Sequence, residues 1–254
     1  MSLALQTRGL TRHFGDLTAV DAVDLAVPAG SFYGFLGPNG AGKSTTIKCL
    51  TGLLRPSEGE IRILDLDPLA DPVGVKKMIG VLPEDLALFD RLTAAETLGF
   101  VGQIHGLSRE TLEQRAEELL TLMELNRRKD SLVTDFSHGM KKKLALAVAL
   151  LPAPKLLFLD EPFEGIDAVA SRQIRNLLKS YVSRGGTIFL TSHILQIVET
   201  LCDQIGVIQH GRLIAQGSME EMRRGTEDGR TLEQIFLELV GAEAEASAAL
   251  DWLT

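Results

Sequence analysis

No apolar stretch of these 254 residues is long enough to cross a bilayer. The longest, residues 144–151, stops at Pro152, far short of the roughly 20 residues a membrane helix needs. A membrane-spanning role for the chain by itself is therefore not expected. Basic residues are also in the minority, 26 Lys and Arg against 34 Asp and Glu for a net charge of −8. A broad nucleic-acid footprint needs basic surface to neutralise phosphates, so no nucleic-acid partner is expected. There are only two cysteines, Cys49 and Cys202, with no metal-type spacing, which predicts reduced packing residues rather than a disulfide. The opening residues lack a basic segment followed by an apolar one, so no signal peptide is expected and the reading is cytoplasmic. No internal repeat is visible. What is present, 45% apolar and 24% charged residues, suits a soluble globular chain with a substantial core.

Within that ordinary composition, Gly37-Pro38-Asn39-Gly40-Ala41-Gly42-Lys43-Ser44-Thr45 fits GxxxxGK[ST] and follows the apolar run Phe32-Tyr33-Gly34-Phe35-Leu36. Glycines in such a loop let backbone N–H groups point inward around phosphates. Lys43 adds a point charge, and the Ser44 hydroxyl suits Mg²⁺. A helix opening at Lys43 presents its positive end to the same anion. The chain is expected to bind a nucleoside triphosphate. It carries no second loop of this kind.

Around the loop, alternation is clearest at Val23, Leu25 and Val27, which predicts an antiparallel sheet near the N-terminus. Strands are expected at 59–63 and 79–82. Helical signals replace them between about 85 and 135, with Ser108 as a cap and Leu112, Leu119, Leu120 and Met123 as an apolar face. Further on, helices are expected at 141–151 and 171–183 and buried strands at 156–159 and 187–191, so the main sheet should be largely parallel. Near the end, Leu232, Ile235, Phe236, Leu239 and Val240 fall at helical spacing behind a Thr231 to Gln234 capping box, closing near Gly241. Beyond lies an Ala- and Glu-rich stretch expected to fray, with Trp252 unexplained.

Asp160 and Glu161 stand where strand 156–159 ends, the place where sheets of this kind open a ligand crevice. Phe136-Ser137-His138-Gly139-Met140 lies one helix upstream. His193 follows the next strand directly. In this order the segments resemble the nucleotide-binding subunit of an ABC transporter, from about residue 3 to 240. They look closest to the export-type branch with a separate membrane subunit, on the strength of Leu82-Pro83-Glu84, the Ser137 segment and the C-terminal extension.

The resemblance implies an α/β fold: a P-loop NTPase core with a mostly parallel sheet, an N-terminal antiparallel β subdomain and a helical insert. An ATPase domain would occupy residues 1–225 and a helical extension 226–254. It implies ATP and Mg²⁺ as ligands. Gly37, Asn39, Gly40, Ala41, Gly42, Lys43, Ser44 and Thr45 would wrap the phosphates, and Phe14 would stack on adenine in a position where Tyr is commoner. Ser44, Asp160 and Glu84 would hold the metal. Glu161 would be the general base, His193 would orient γ-phosphate and water, and Lys43 and Glu84 would complete the catalytic set. Ser137 and Gly139 would reach γ-phosphate across a homodimer interface, with Gly165-Ile166-Asp167 between the two sites.

Two departures stand out: Glu84 replaces the usual Gln, and His138 and Met140 replace Gly and Gln. Lys141, Lys142 and Lys143 read as a solvated helix start. The function implied is ATP hydrolysis driving export through a separate multispanning permease, with the chain peripheral on the inner face of the membrane. The alternative is an ATP-gated switch acting on a soluble partner. A small-molecule kinase leaves the Ser137 segment and His193 without a purpose.

Overall fold

The structure, a computed structural model, describes residues 2–224 and 231–241. The expectations for the Ala- and Glu-rich stretch and for Trp252 lie outside the described residues. The elements run β1 (Leu3–Phe14), β2 (Leu17–Val23), β3 (Ala26–Pro28), β4 (Phe32–Leu36), α1 (Lys43–Leu50), β5 (Glu58–Ile63), α2 (Pro72–Met78) and β6 (Ile79–Leu82). Then come α3 (Ala94–Ile104), α4 (Arg109–Leu122), α5 (His138–Leu150), β7 (Leu156–Asp160), α6 (Ala168–Ser183), β8 (Thr187–Thr191), α7 (Leu195–Leu201), β9 (Gln204–Gln209), β10 (Arg212–Ser218), α8 (Met219–Arg224) and α9 (Leu232–Leu239).

Two sheets result. The larger has strand order β10-β9-β4-β8-β7-β6, parallel except for the antiparallel edge strand β10. In the smaller, the long β1 pairs antiparallel with β2, β3 and β5. Every residue of β4, β7 and β8 is buried, because both faces of the parallel sheet are covered. Successive side chains still point to opposite sides. Phe32 and Leu36 join the core shared with the helices, and Tyr33 and Phe35 the core shared with the antiparallel sheet. On that second side Phe189 is the hub, with ring centroids 5.4 Å from Tyr33, 5.2 Å from Phe35 and 5.7 Å from Phe158.

The helical segment keeps its predicted caps and faces. Ser108 accepts a hydrogen bond from the Thr111 N–H at 3.2 Å, Leu120 and Met123 are buried, and Leu112 and Leu119 pack against them. Thr231 and Gln234 form the expected reciprocal capping box on α9, and Gly241 takes φ +67° at its end. Leu232 and Ile235 are buried, and Phe236 and Val240 pack on the core. Leu239, expected on the same face, stays 37% exposed. Among the described residues the core takes up Phe236 and Val240 on either side of it and leaves Leu239 partly open. Cys49 and Cys202 are free and buried, as their spacing suggested.

Candidate active site at the strand ends

The loop between β4 and α1 folds as its glycines allow. Gly40 sits at φ +78° and Gly42 at φ +107°, in backbone space that other residues avoid. Gly37 is buried, and a side chain on it would begin 2.3 Å from the Ile208 carbonyl oxygen. Asn39 and Gly40 are exposed at the tip, while Ala41 is buried and its carbonyl accepts from the Gly211 N–H at 2.9 Å. Lys43 bends back over the loop, Nζ donating to the carbonyls of Gly37 at 2.7 Å and Pro38 at 3.1 Å. Burial lowers its pKa, and Glu161, Asp160 and Glu84 oppose that shift. Ser44 and Thr45 sit half-buried in the first turn of α1.

The acids approach from the neighbouring strands. Asp160 ends β7 in register with Thr191 of β8, whose hydroxyl donates to Asp160 Oδ1. The same hydroxyl accepts the Glu161 N–H at 3.2 Å, so one side chain fixes two consecutive acids. Glu161 itself sits at φ +49°, a region that bulky residues rarely enter and that recurs where strain serves a site. His193 Nδ1 lies 3.0 Å from Glu161 Oε2. Burial raises the pKa of both acids. His193 and Lys43 hold Glu161 back from rising further; Thr191 and Ser44 do the same for Asp160. Glu84, just past β6, accepts a hydrogen bond from Ser44 Oγ at 3.1 Å.

The donor set fits a hard divalent cation. Asp160, Glu84 and Ser44 offer oxygen atoms only, and the Ser44 hydroxyl already hydrogen-bonds to an acid, the contact an ion would replace. Beside them a partly desolvated Glu161, held by an imidazole, is suited to accept a proton from water.

Two more expected groups stand on other elements, β1 and the start of α5. Phe14 is 46% exposed on β1 rather than in the core, with the Arg12 guanidinium 4.6 Å over its ring. Ser137 caps α5, accepting from the Met140 N–H at 3.3 Å, and is exposed. Gly139 faces the carbonyl oxygen of Gly165, 3.2 Å from where a Cβ would stand. The lysines that follow are not a solvated start. They do fan around the axis: Lys141 Nζ bonds Asp90 at 3.1 Å, Lys143 reaches Glu124 at 3.4 Å, and Lys142 is 1% exposed. Lys142 shares a helix face with the buried Leu146 and Ala149, four and seven residues on, a spacing that marked it as an inward residue. Thr191 reads in the sequence only as the end of a buried strand, and its register with Asp160 follows from two adjacent parallel strands.

The family model described as ABC transporter matches residues 20–164. The chain is 39% identical over 223 residues to the Nod factor export ATP-binding protein I of Cupriavidus metallidurans, covering 87% of this chain and 73% of that protein. Among solved structures, one described as the ATP binding subunit of an ABC transporter superposes with a TM-score of 0.88 at 33% identity, over 94% of this chain and 99% of that one. The dimeric structure of the bacterial ABC transporter cassette MJ0796 matches at 0.78 and 25% identity, over 85% and 98%. The fold agrees with the comparisons, and the chain belongs to the ABC transporter family as an ATP-binding subunit that hydrolyses ATP with Mg²⁺.

Proposed function

We propose that two copies of this chain clasp ATP between them and power export through a separate multispanning permease, holding the chain on the inner face of the membrane. Residues 1–225 act as the ATPase domain and 226–254 as an extension.

A cleft carries this reading. It measures about 450 Å³ and is lined by Leu53, Val73, Ile79, Val101, Ile104 and their neighbours, with Lys76 and Lys77 among them. Leu53, Val73 and Ile104 are 63–65% exposed, an apolar surface that marks an interaction site. Among the described residues no helix is long and apolar enough to cross a membrane. A short amphipathic cytoplasmic helix of a membrane protein, with acidic residues towards the lysines, suits the cleft in size and charge. Ile79, Gly80 and Val81 of β6 line it, and the same segment runs on to Glu84 and its bond to Ser44. A push at the cleft is thereby felt at the nucleotide.

In the site, Lys43 and the loop N–H groups grip the phosphates, Phe14 stacks on adenine, and Glu161 takes the proton of the attacking water while His193 orients it. Ser44, Asp160 and Glu84 would hold Mg²⁺, which would supply positive charge beside the transferred phosphoryl group. Ser137 and Gly139 supply the other copy's γ-phosphate with donors at the positive end of α5.

The test is affinity capture of the tagged chain from detergent-solubilised membranes. We expect a hydrophobic multispanning protein that is lost on Ile104→Glu while ATPase activity of the isolated chain persists. Recovery with ribosomes or nucleic acid and no membrane protein would overturn the reading.

A further inference from the structure

Lys142 is a buried cation that nothing in the nucleotide chemistry uses. Its Nζ donates to the backbone carbonyl of Glu164 at 2.9 Å and lies 3.8 Å from that residue's half-exposed carboxylate. Burial works against the charge, and the carboxylates of Glu164, Glu161, Glu84 and Asp160 work for it. An ammonium this enclosed is kept only where its partners are fixed.

The partner here is a loop. Between β7 and α6, residues 161–167 carry Glu161 at one end, and the Glu164 N–H donates to the Glu161 carbonyl at 3.3 Å. Two more contacts from the first turn of α5 land on the next residue. Gly165 sits at φ +70°, and the His138 ring fills the space of its missing side chain, 2.7 Å from where a Cβ would stand. Gly139 faces the Gly165 carbonyl. His138, Gly139 and Lys142 stand at i, i+1 and i+4, close enough on a helix to meet one loop together. The imidazole that replaces the family's glycine thus has a packing partner within its own chain.

We infer that Lys142 is a positioning residue, which with His138 fastens the 161–167 loop to the start of α5 so that Ser137, Gly139 and Gly165–Asp167 present one rigid edge to the other copy. This rests on the two-copy reading above. Each element would otherwise be ordered separately when the copies meet, and a misplacement on the order of 1 Å at a reacting centre is enough to cost about 10²-fold.

Lys142→Met keeps the buried stem and removes the charge and the donor. We expect it to lower kcat at saturating MgATP by tenfold or more, with the affinity of the monomer for a fluorescent ATP analogue within about twofold of the parent. In the slow Glu161→Gln background it should cut ATP-driven dimer formation by a similar factor. Lys142→Arg should restore part of both. Glu164→Ala, which keeps the carbonyl, should leave most of the activity. Gly165→Ala, strained at φ +70° and with a methyl that meets His138, disturbs the same joint from the loop side should Lys142→Met fail to fold, and should show the same split between kcat and nucleotide affinity.

Equal kcat and equal dimer formation in Lys142→Met would overturn the role of Lys142, and in Gly165→Ala, where that stands in, the fastening of the loop to α5; loss of monomer nucleotide affinity in step with kcat would do the same. If the Glu161→Gln parent itself binds ATP and forms no dimer, the two-copy reading fails first and takes this one with it.

Discussion

Glu84 Oε2 accepts the hydrogen bond of Ser44 Oγ at 3.1 Å, so an acid and a hydroxyl from opposite sides of the crevice already meet where oxygen ligands are needed. Ser44 also helps hold Asp160 ionised, and Glu84 works the other way, raising the Asp160 pKa by repulsion. Glu84→Gln keeps an acceptor for Ser44 and removes that charge. We expect it to weaken Mg²⁺-dependent activation roughly tenfold and to tighten ATP binding in EDTA, where repulsion between Glu84 and γ-phosphate is no longer masked. Titration of a fluorescent ATP analogue with and without Mg²⁺ measures both; identical curves for the two proteins would place Glu84 outside the metal site.

As the proposed general base, Glu161 should set the acid side of the rate profile. Burial raises its pKa and a general base must be ionised, so kcat should fall with decreasing pH at a point above the ordinary glutamate range. His193→Ala removes the group that most favours the carboxylate, and the acid limb should move to still higher pH. The stability sign is opposite to that of a salt-bridged acid. With the folded pKa above the unfolded one, the native state holds more protons between the two values, and the contribution of Glu161 and Asp160 to stability is lost as pH rises through that window. Profiles of kcat against pH for the two proteins decide the first point, and thermal midpoints of the nucleotide-free chain the second.

Phe14 should contribute binding and no chemistry. Phe14→Ala is expected to weaken ATP by about 1–3 kcal/mol, the worth of one aromatic–base stack, with kcat unchanged. Arg12 backs the ring at 4.6 Å, so Arg12→Gln should cost a smaller amount, about 0.5–1 kcal/mol. A kcat loss with unchanged KM in Phe14→Ala would contradict the stacking role.

Packing predicts an uneven response along α9. Ile235 is 4% exposed, and Ile235→Ala should destabilise the chain by about 2–4 kcal/mol. Leu239→Ala, at a position 37% exposed, should lie within about 0.5 kcal/mol of the parent. Denaturant melts of both variants check this, and equal losses would mean that Leu239 is covered in solution.

Local rules carried the sequence reading far. The 37–45 loop, the Thr231 to Gln234 box, the cap at Ser108 and the fully apolar strand at 156–159 are each written in a few adjacent residues, and each is where spacing put it. Asp160, Glu161 and His193 were legible because strand ends of one parallel sheet face one crevice. What was misread depended on how one element is turned against another. Lys142 reads as solvated beside Lys141 and Lys143 until α5 meets the loop at Glu164, and Leu239 reads as buried with Phe236 and Val240, which the core takes up while leaving it 37% exposed. Helical period names a face; only contact with a distant segment says how wide that face is.

The most direct measurement is the structure of the Glu161→Gln chain with MgATP. The account predicts two copies related by a two-fold axis, with Ser137 Oγ of each within hydrogen-bond distance of the γ-phosphate held by Lys43 of the other. Nucleotide bound in every copy with Ser137 facing solvent throughout would contradict it.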